Sequence, residues 1–174
     1  MIILETPRLL LGTWTKDKLQ DLYALYQHPQ TLEFYSNKHF TYQQAQKLLS
    51  EFIEHQENYG FSLWYCQLKA TKQLIGFTGF MTLENHLGVD IGYHFTRSVW
   101  QQGFATEAAQ HCLNYGFNTL LFKRVFGITH PNNQASKQVL TKIGMSLQGQ
   151  IIYRDRMFDL YSIDKQVAPS SAYC

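Results

Sequence analysis

Val89-Asp90-Ile91-Gly92-Tyr93-His94-Phe95, followed after a short polar turn by Trp100-Gln101-Gln102-Gly103-Phe104-Ala105-Thr106-Glu107, is the stretch that decides the fold. The first seven residues are rich in β-branched and aromatic side chains and predict a strand. After Gly103 the period changes. Ala105, Ala108, Ala109, Cys112, Leu113, Gly116 and Phe117 recur at i, i+3 and i+4, which predicts a helix to about Leu120. Most of that stripe is small, so the helix can sit close on a sheet. A strand that runs into a glycine turn and leaves it as a helix is a common anion holder. The first helical N–H groups have no intrahelical partner, and the helix dipole adds positive charge at the same end. Gly103 permits close approach, and Ala105 has little side chain to obstruct it. The same residues also suit a tight connection that holds no ligand. The turn is neither GxGxxG nor GxxxxGK[ST], so a Rossmann dinucleotide site and a P-loop lack their defining residues.

Outward from this segment the chain alternates element types. Residues 61–68, 74–82 and 89–95 are short strand-like runs separated by polar turns at 71–73 and 84–88, a meander of antiparallel strands. Upstream, residues 8–14 read as a first strand. Thr15 is placed to cap a helix to about His28, with Leu19, Leu22, Tyr23, Leu25 and Tyr26 at helical spacing. Thr41 and Gln44 form a capping-box signature for a second helix to about Asn58. Downstream come a strand over 124–129, a helix over 133–143 stopped by Gly144, and a strand pair over 146–153 and 157–163. The order β-α-α-β-β-β-α-β-α-β-β predicts an α/β fold. Its sheet is mixed and mostly antiparallel, of about seven strands, with helices on both faces. Residues 1–167 are expected to form one domain and residues 168–174 a frayed tail.

Composition narrows the function. Only 16% of the 174 residues are charged and 45% are hydrophobic, which excludes a disordered tail, a collagen-like chain and a coiled coil. No stretch approaches ~18 uncharged apolar residues, so no membrane span is expected. The first 14 residues show no basic region or cleavage site, which points to the cytoplasm. Cys66, Cys112 and Cys174 have no zinc spacing and read as reduced thiols, two in the core and one on the tail. A net charge of +2 is too mild to suggest nucleic acid. Residues 1–60 carry five Lys/Arg against seven Asp/Glu, and the remainder ten against six. An anionic ligand therefore belongs with the second part.

Several segments in one order resemble a known family. They are Asp90-Ile91-Gly92-Tyr93, Trp100 to Ala108, His130-Pro131-Asn132-Asn133-Gln134-Ala135-Ser136 and Leu140-Thr141-Lys142-Ile143-Gly144-Met145. Together they resemble the GNAT superfamily of N-acetyltransferases. With Glu5-Thr6-Pro7-Arg8-Leu9-Leu10-Leu11 and Arg156-Met157-Phe158-Asp159, they are most similar to its ribosomal-protein (Rim-type) N-terminal acetyltransferase branch. The resemblance spans roughly residues 4–165 and implies a GNAT-like fold, acetyl-CoA as co-substrate and no metal. It implies that backbone N–H groups of the turn Gln101, Gln102, Gly103, Phe104, Ala105 and Thr106 hold the pyrophosphate. The pantetheine arm would run like an extra strand beside His94, Phe95 and Thr96, with Asn133 contacting it. The sheet would split between 89–95 and 124–129. Three residues depart from the common pattern: Trp100 for Arg or Gln, Gln101 for a frequent glycine, and Leu140 for the tyrosine that often serves as general acid.

Acetyl transfer needs a neutral amine, a polarised carbonyl and a proton for the departing thiolate. The expected reaction is direct attack of a primary amine, a protein N-terminal α-amine or a small amine, in a ternary complex. Asp90 is the only carboxylate on its strand and matches the family's carboxylate base, though it suits a turn end or an ion pair equally. Ser136 is the candidate thiolate contact and acid, against the reading of an ordinary helix serine. A backbone N–H near His94 or Phe95 would polarise the carbonyl. His94 is a second candidate base, and His130 is read as structural. His28, His39, His55, His86 and His111 show no partner spacing. Phe34, Tyr35, His39, Phe40 and Tyr42 form either an acceptor wall or a satellite core. Arg97, Lys123, Lys137 and Lys142 are candidates for the CoA 3′-phosphate. The competing reading is a GNAT-fold module that binds acyl-CoA without turning it over. A monomer or homodimer, with no nucleic-acid or membrane partner, is expected.

Overall fold

The structure is a computed structural model describing residues 1–28, 32–34, 39–84 and 88–166. In chain order the elements are β1 (Ile2–Glu5), β2 (Leu9–Gly12), α1 (Leu19–Leu25), α2 (Tyr42–Tyr59), β3 (Leu63–Leu68), β4 (Leu74–Thr82) and β5 (Val89–Phe95). Then come α3 (Phe104–Asn118), β6 (Arg124–Thr129), α4 (Gln134–Lys142), β7 (Ser146–Tyr153) and β8 (Arg156–Asp164). One eight-stranded sheet has the order β1-β2-β3-β4-β5-β6-β8-β7.

The expected strand order holds, with eight strands in place of about seven. The extra one is β1, a four-residue run that pairs antiparallel with β2. Thr6 turns the chain between them: its N–H donates to the Leu9 carbonyl at 3.0 Å, and its Oγ1 accepts from the Leu9 N–H at 2.9 Å. The helix expected from Thr15 to His28 is shorter. Thr15 makes no side-chain cap, a 3-10 turn over Lys16–Lys18 comes first, and α1 ends at Leu25. By contrast, the Thr41–Gln44 capping box is fully formed at the start of α2. Residues 168–174, expected to fray, and with them Cys174 lie outside the described residues.

All neighbouring strands pair antiparallel except β5 and β6, which run parallel. Among the described residues that pair has a single register match, Asp90 opposite Phe126. The sheet is therefore split at this point, as expected. Strand alternation sorts the core. Trp64, Cys66, Phe80 and Ile91 bury against α3 and α4 together with Cys112, Leu113 and Leu140. Tyr65 and Phe77 pack on the other face against α1 and α2, with Trp14, Leu22 and Phe52. Helices thus cover both faces. Cys66 and Cys112 are free and fully buried, as the sequence predicts.

Candidate active site

The turn after β5 carries two residues in the left-handed region, Gln101 with φ 60° and Gly103 with φ 81°. For an L-residue that region costs roughly 1–2 kcal/mol, which accounts for glycine being frequent at position 101 in the family. Gly103 is also the N-cap of α3 and supplies no side-chain acceptor. The first-turn N–H groups of α3 are therefore left for a ligand or solvent. The Gln102 carboxamide donates to the Ser98 carbonyl at 3.0 Å and steadies the turn from below.

Beside this turn lies a cavity of about 320 Å³. Its walls are the end of β5 (Tyr93, His94, Phe95), the turn and first residues of α3 (Trp100, Gln101, Gly103, Phe104, Ala105, Thr106), and α4 (Asn133, Ser136, Val139, Lys142), with Phe34 at one end. Most of the site residues expected from the sequence meet here. Thr96 and Gln102 flank the cavity in sequence without lining it, and Asp90 is set back at the strand split. Thr96 donates its N–H to Ile75 across the sheet at 2.9 Å, so that amide is committed to β4. Trp100 donates its indole N–H to the Phe95 carbonyl at 2.7 Å, and the Arg97 guanidinium lies 4.7 Å over its ring. The aromatic residue at 100 thus closes the end of β5 and uses one backbone acceptor there.

Asn133 caps α4, its Oδ1 accepting from the Ser136 N–H at 3.0 Å. The Tyr93 hydroxyl donates to the Ser136 carbonyl and stands 2.9 Å from Ser136 Oγ. Burial pushes the phenol's pKa up, against the lowering effect of the Ser136 bond. The sequence reading missed Tyr93. Its only signal was alternation along β5, which puts it on the face of Ile91 and Phe95 that α4 covers. Leu140, at the family's tyrosine position, is 1% exposed in the core.

Asp90 Oδ1 accepts the Ile128 N–H of β6 at 3.0 Å, bridging the split by a side chain. Desolvation holds this carboxyl well above the ordinary range, and the Ile128 bond opposes it only in part. His94 is used differently from the expectation. Its ring is buried, stacked on Tyr26 at 4.3 Å and on Phe77 at 5.3 Å, with Nε2 donating to the Leu25 carbonyl at 3.3 Å. Burial pulls its pKa down to about 4, so the imidazole is a packing element and a weak base.

Of the remaining candidates, Lys137 pairs with Asp159 at 2.6 Å, while Lys142 lines the cavity. Phe34 reaches the cavity, whereas Phe40 stacks on Tyr26 at 4.0 Å and belongs to the α1–α2 core. Tyr35 and His86 lie outside the described residues. His130 packs on Phe34 with ring centroids 5.5 Å apart, and its Nδ1 accepts the Asn132 N–H. Among the described residues no three His, Cys, Asp or Glu side chains cluster as metal ligands.

Residues 8–146 match the acetyltransferase (GNAT) domain family. The chain belongs to this family. An uncharacterized N-acetyltransferase of Bacillus subtilis (strain 168), YoaA, is 31% identical over 150 residues, covering 84% of each chain. The uncharacterized protein YkkB of the same organism is 35% identical over 123 residues, covering 70% of this chain and 71% of that protein. Solved GNAT folds superpose closely. RimL, a ribosomal L7/L12 alpha-N-protein acetyltransferase in complex with coenzyme A, gives a TM-score of 0.78 at 17% identity, over 94% of this chain and 98% of that one. The microcin C7 self-immunity acetyltransferase MccE, in complex with acetyl-CoA and AMP, gives 0.78 at 14% identity, over 91% and 93%. At such identities the likeness is one of fold.

Proposed function

We propose that the protein is a cytoplasmic, acetyl-CoA-dependent N-acetyltransferase of the Rim-type branch. It acetylates a primary amine, a protein N-terminal α-amine or a small amine, by direct attack in a ternary complex. The observation that carries this reading is the cavity itself. It brings together the uncapped start of α3, the end of β5 and the α4 hydroxyl at a split in the sheet. The donor fits this donor set. Backbone N–H groups from Gln101 to Thr106 suit its phosphates, the strand end at His94 and Phe95 its extended arm, and Asn133 the arm's polar groups. Acetyl-CoA supplies an activated acetyl group as a thioester.

The chain's own residues do the rest. Asp90 takes a proton from the acceptor amine at its carboxylate, directly or through one water. Burial raises its pKa, which makes it a stronger base than an ordinary carboxylate. Ser136 Oγ, 2.9 Å from the Tyr93 hydroxyl, offers a hydrogen bond to the departing thiolate, which takes its proton from solvent. Support for the Rim-type branch comes from the quoted motifs and from fold neighbours described as ribosomal-protein acetyltransferases. The test is free-thiol release from acetyl-CoA across a panel of amines that includes peptides with N-terminal Ser or Ala. Turnover with one class identifies the acceptor. CoA binding with no thiol release anywhere in the panel would make the protein a binding module.

A further inference from the structure

The turn that would hold phosphate is gripped from outside by the start of the chain. Glu107 sits in the first turns of α3, with its side chain 13% exposed, beside the N–H groups that an anion would use. An unscreened carboxylate there would repel a phosphate. Three donors converge on it. Thr6 Oγ1 donates to Oε1 at 2.6 Å, the Arg8 N–H to Oε1 at 2.9 Å, and Arg8 Nε to Oε2 at 2.5 Å. The same guanidinium reaches the turn itself. Arg8 Nη1 donates to the Gln102 carbonyl at 3.0 Å, and the ring of Phe104 lies 4.0 Å beneath it. Arg8 Nη2 stands 3.5 Å from the point where a Cβ on Gly103 would be.

These contacts act on the ligand side of the turn. A trans peptide is planar, so fixing one end fixes the other. Holding the Gln102 carbonyl toward Arg8 turns the Gly103 N–H to the opposite side. The guanidinium is always charged and offers a planar fork that matches a carboxylate. It offsets the Glu107 charge next to the helix end while leaving the dipole in place.

We infer that Arg8, on the N-terminal hairpin, is a positioning residue for CoA phosphate recognition: it cancels Glu107 and sets the direction of the Gly103 amide. This rests on the acetyl-CoA reading above. It ties phosphate affinity to a residue 94 positions before Gln102, whose carbonyl it holds.

The test compares two probes by calorimetry, CoA and pantetheine, which lacks the phosphates. Wild-type binding of CoA comes first, since its absence would remove the acetyl-CoA reading and this inference with it. Arg8→Met should weaken CoA at least tenfold and change pantetheine less than twofold. Adding Glu107→Gln to Arg8→Met should restore part of the CoA affinity, because the repelling charge is then gone. Arg8→Lys keeps the charge but not the fork, and should fall between wild type and Arg8→Met. It also covers the case in which Arg8→Met fails to fold. Unchanged CoA affinity in Arg8→Met, or equal losses for CoA and pantetheine, would overturn the inference. So would an Arg8→Lys variant as weak as Arg8→Met.

Discussion

Replacing Asp90 by Asn separates the two tasks of this carboxylate. The amide oxygen can still accept the Ile128 N–H, so the bridge across the strand split survives. The charge does not. In the folded protein the ionised carboxylate has one backbone hydrogen bond, worth about 1.5–3 kcal/mol for a charged acceptor. Against it stands a desolvation penalty of several kcal/mol. The penalty outweighs the hydrogen bond, in keeping with the raised pKa. The sign follows. A carboxyl whose folded pKa lies above its unfolded value of about 3.9 contributes stability below that value. The contribution is lost as pH rises through the folded pKa. Asp90→Asn should therefore be more stable than wild type at pH 8, with the advantage shrinking toward pH 4. Activity should move the other way. General-base assistance is typically worth 10²–10⁴-fold, so kcat/KM near pH 7 should fall at least tenfold. The deficit should narrow at higher pH, where more amine is already neutral. Urea unfolding at pH 4, 6 and 8 and a pH–rate profile with one acceptor read both quantities. Equal rates with parallel profiles would leave Asp90 a structural residue. A variant less stable than wild type at pH 8 would refute the desolvation argument.

Gly103→Val places a β-branched residue at φ 81°, which costs about 1–2 kcal/mol or more and disturbs Arg8. CoA affinity by calorimetry should fall at least tenfold, about 1.4 kcal/mol, and unchanged affinity would show that the phosphate turn is misplaced. Acid should loosen the α1–α2 side of the sheet before it reaches most carboxylates. Burial lowers the pKa of His94 to about 4 and also lowers that of His55. For a lowered histidine, stability is full above its unfolded value of about 6.5 and is lost as pH falls. His94 alone then accounts for about 3 kcal/mol by pH 4. Denaturant midpoints measured from pH 7 to 4.5 should fall steadily in wild type and less in His94→Phe, which keeps a ring for the Tyr26–Phe77 stack. Identical slopes would assign the loss to other groups.

Local signals carried most of the fold. The Thr41–Gln44 pair marked the start of α2 because a capping box is contained within four residues. The ranges of β4, β5, β6 and β7 followed from short β-branched and aromatic runs between polar turns. Where tertiary contacts overrode local pattern, the sequence misled. The apolar spacing past Leu25 predicts more helix. Tyr26 instead turns its ring between Phe40 and His94, and its N–H bonds back to the Tyr23 carbonyl. The strand β1 is four residues long and is defined only by its pairing with β2. At the site, Gly103 was legible because a positive φ at a helix start is a local need. The Arg8–Glu107 and Tyr93–Ser136 contacts join residues 99 and 43 positions apart. No spacing rule connects such pairs, and only the packing of α3 and α4 on the sheet brings them together.

The split sheet also explains why one residue holds both the fold and the proposed chemistry. Beyond Asp90 and Phe126, β5 and β6 no longer supply each other with backbone partners. An amide left facing the gap would cost about 1–3 kcal/mol if buried and unmet. At Ile128 the acceptor comes from the Asp90 side chain. For that purpose Asn would serve as well as Asp, and without the desolvation penalty that raises the Asp90 pKa. A carboxylate at this position is thus the more costly way to close the gap. What it offers in return is a basic oxygen at the fork of the strands, three residues along β5 from Tyr93, which lines the cavity. On this argument the penalty at Asp90 and its value as a base have one cause, removal from water. Any substitution that rehydrates the fork should reduce both together.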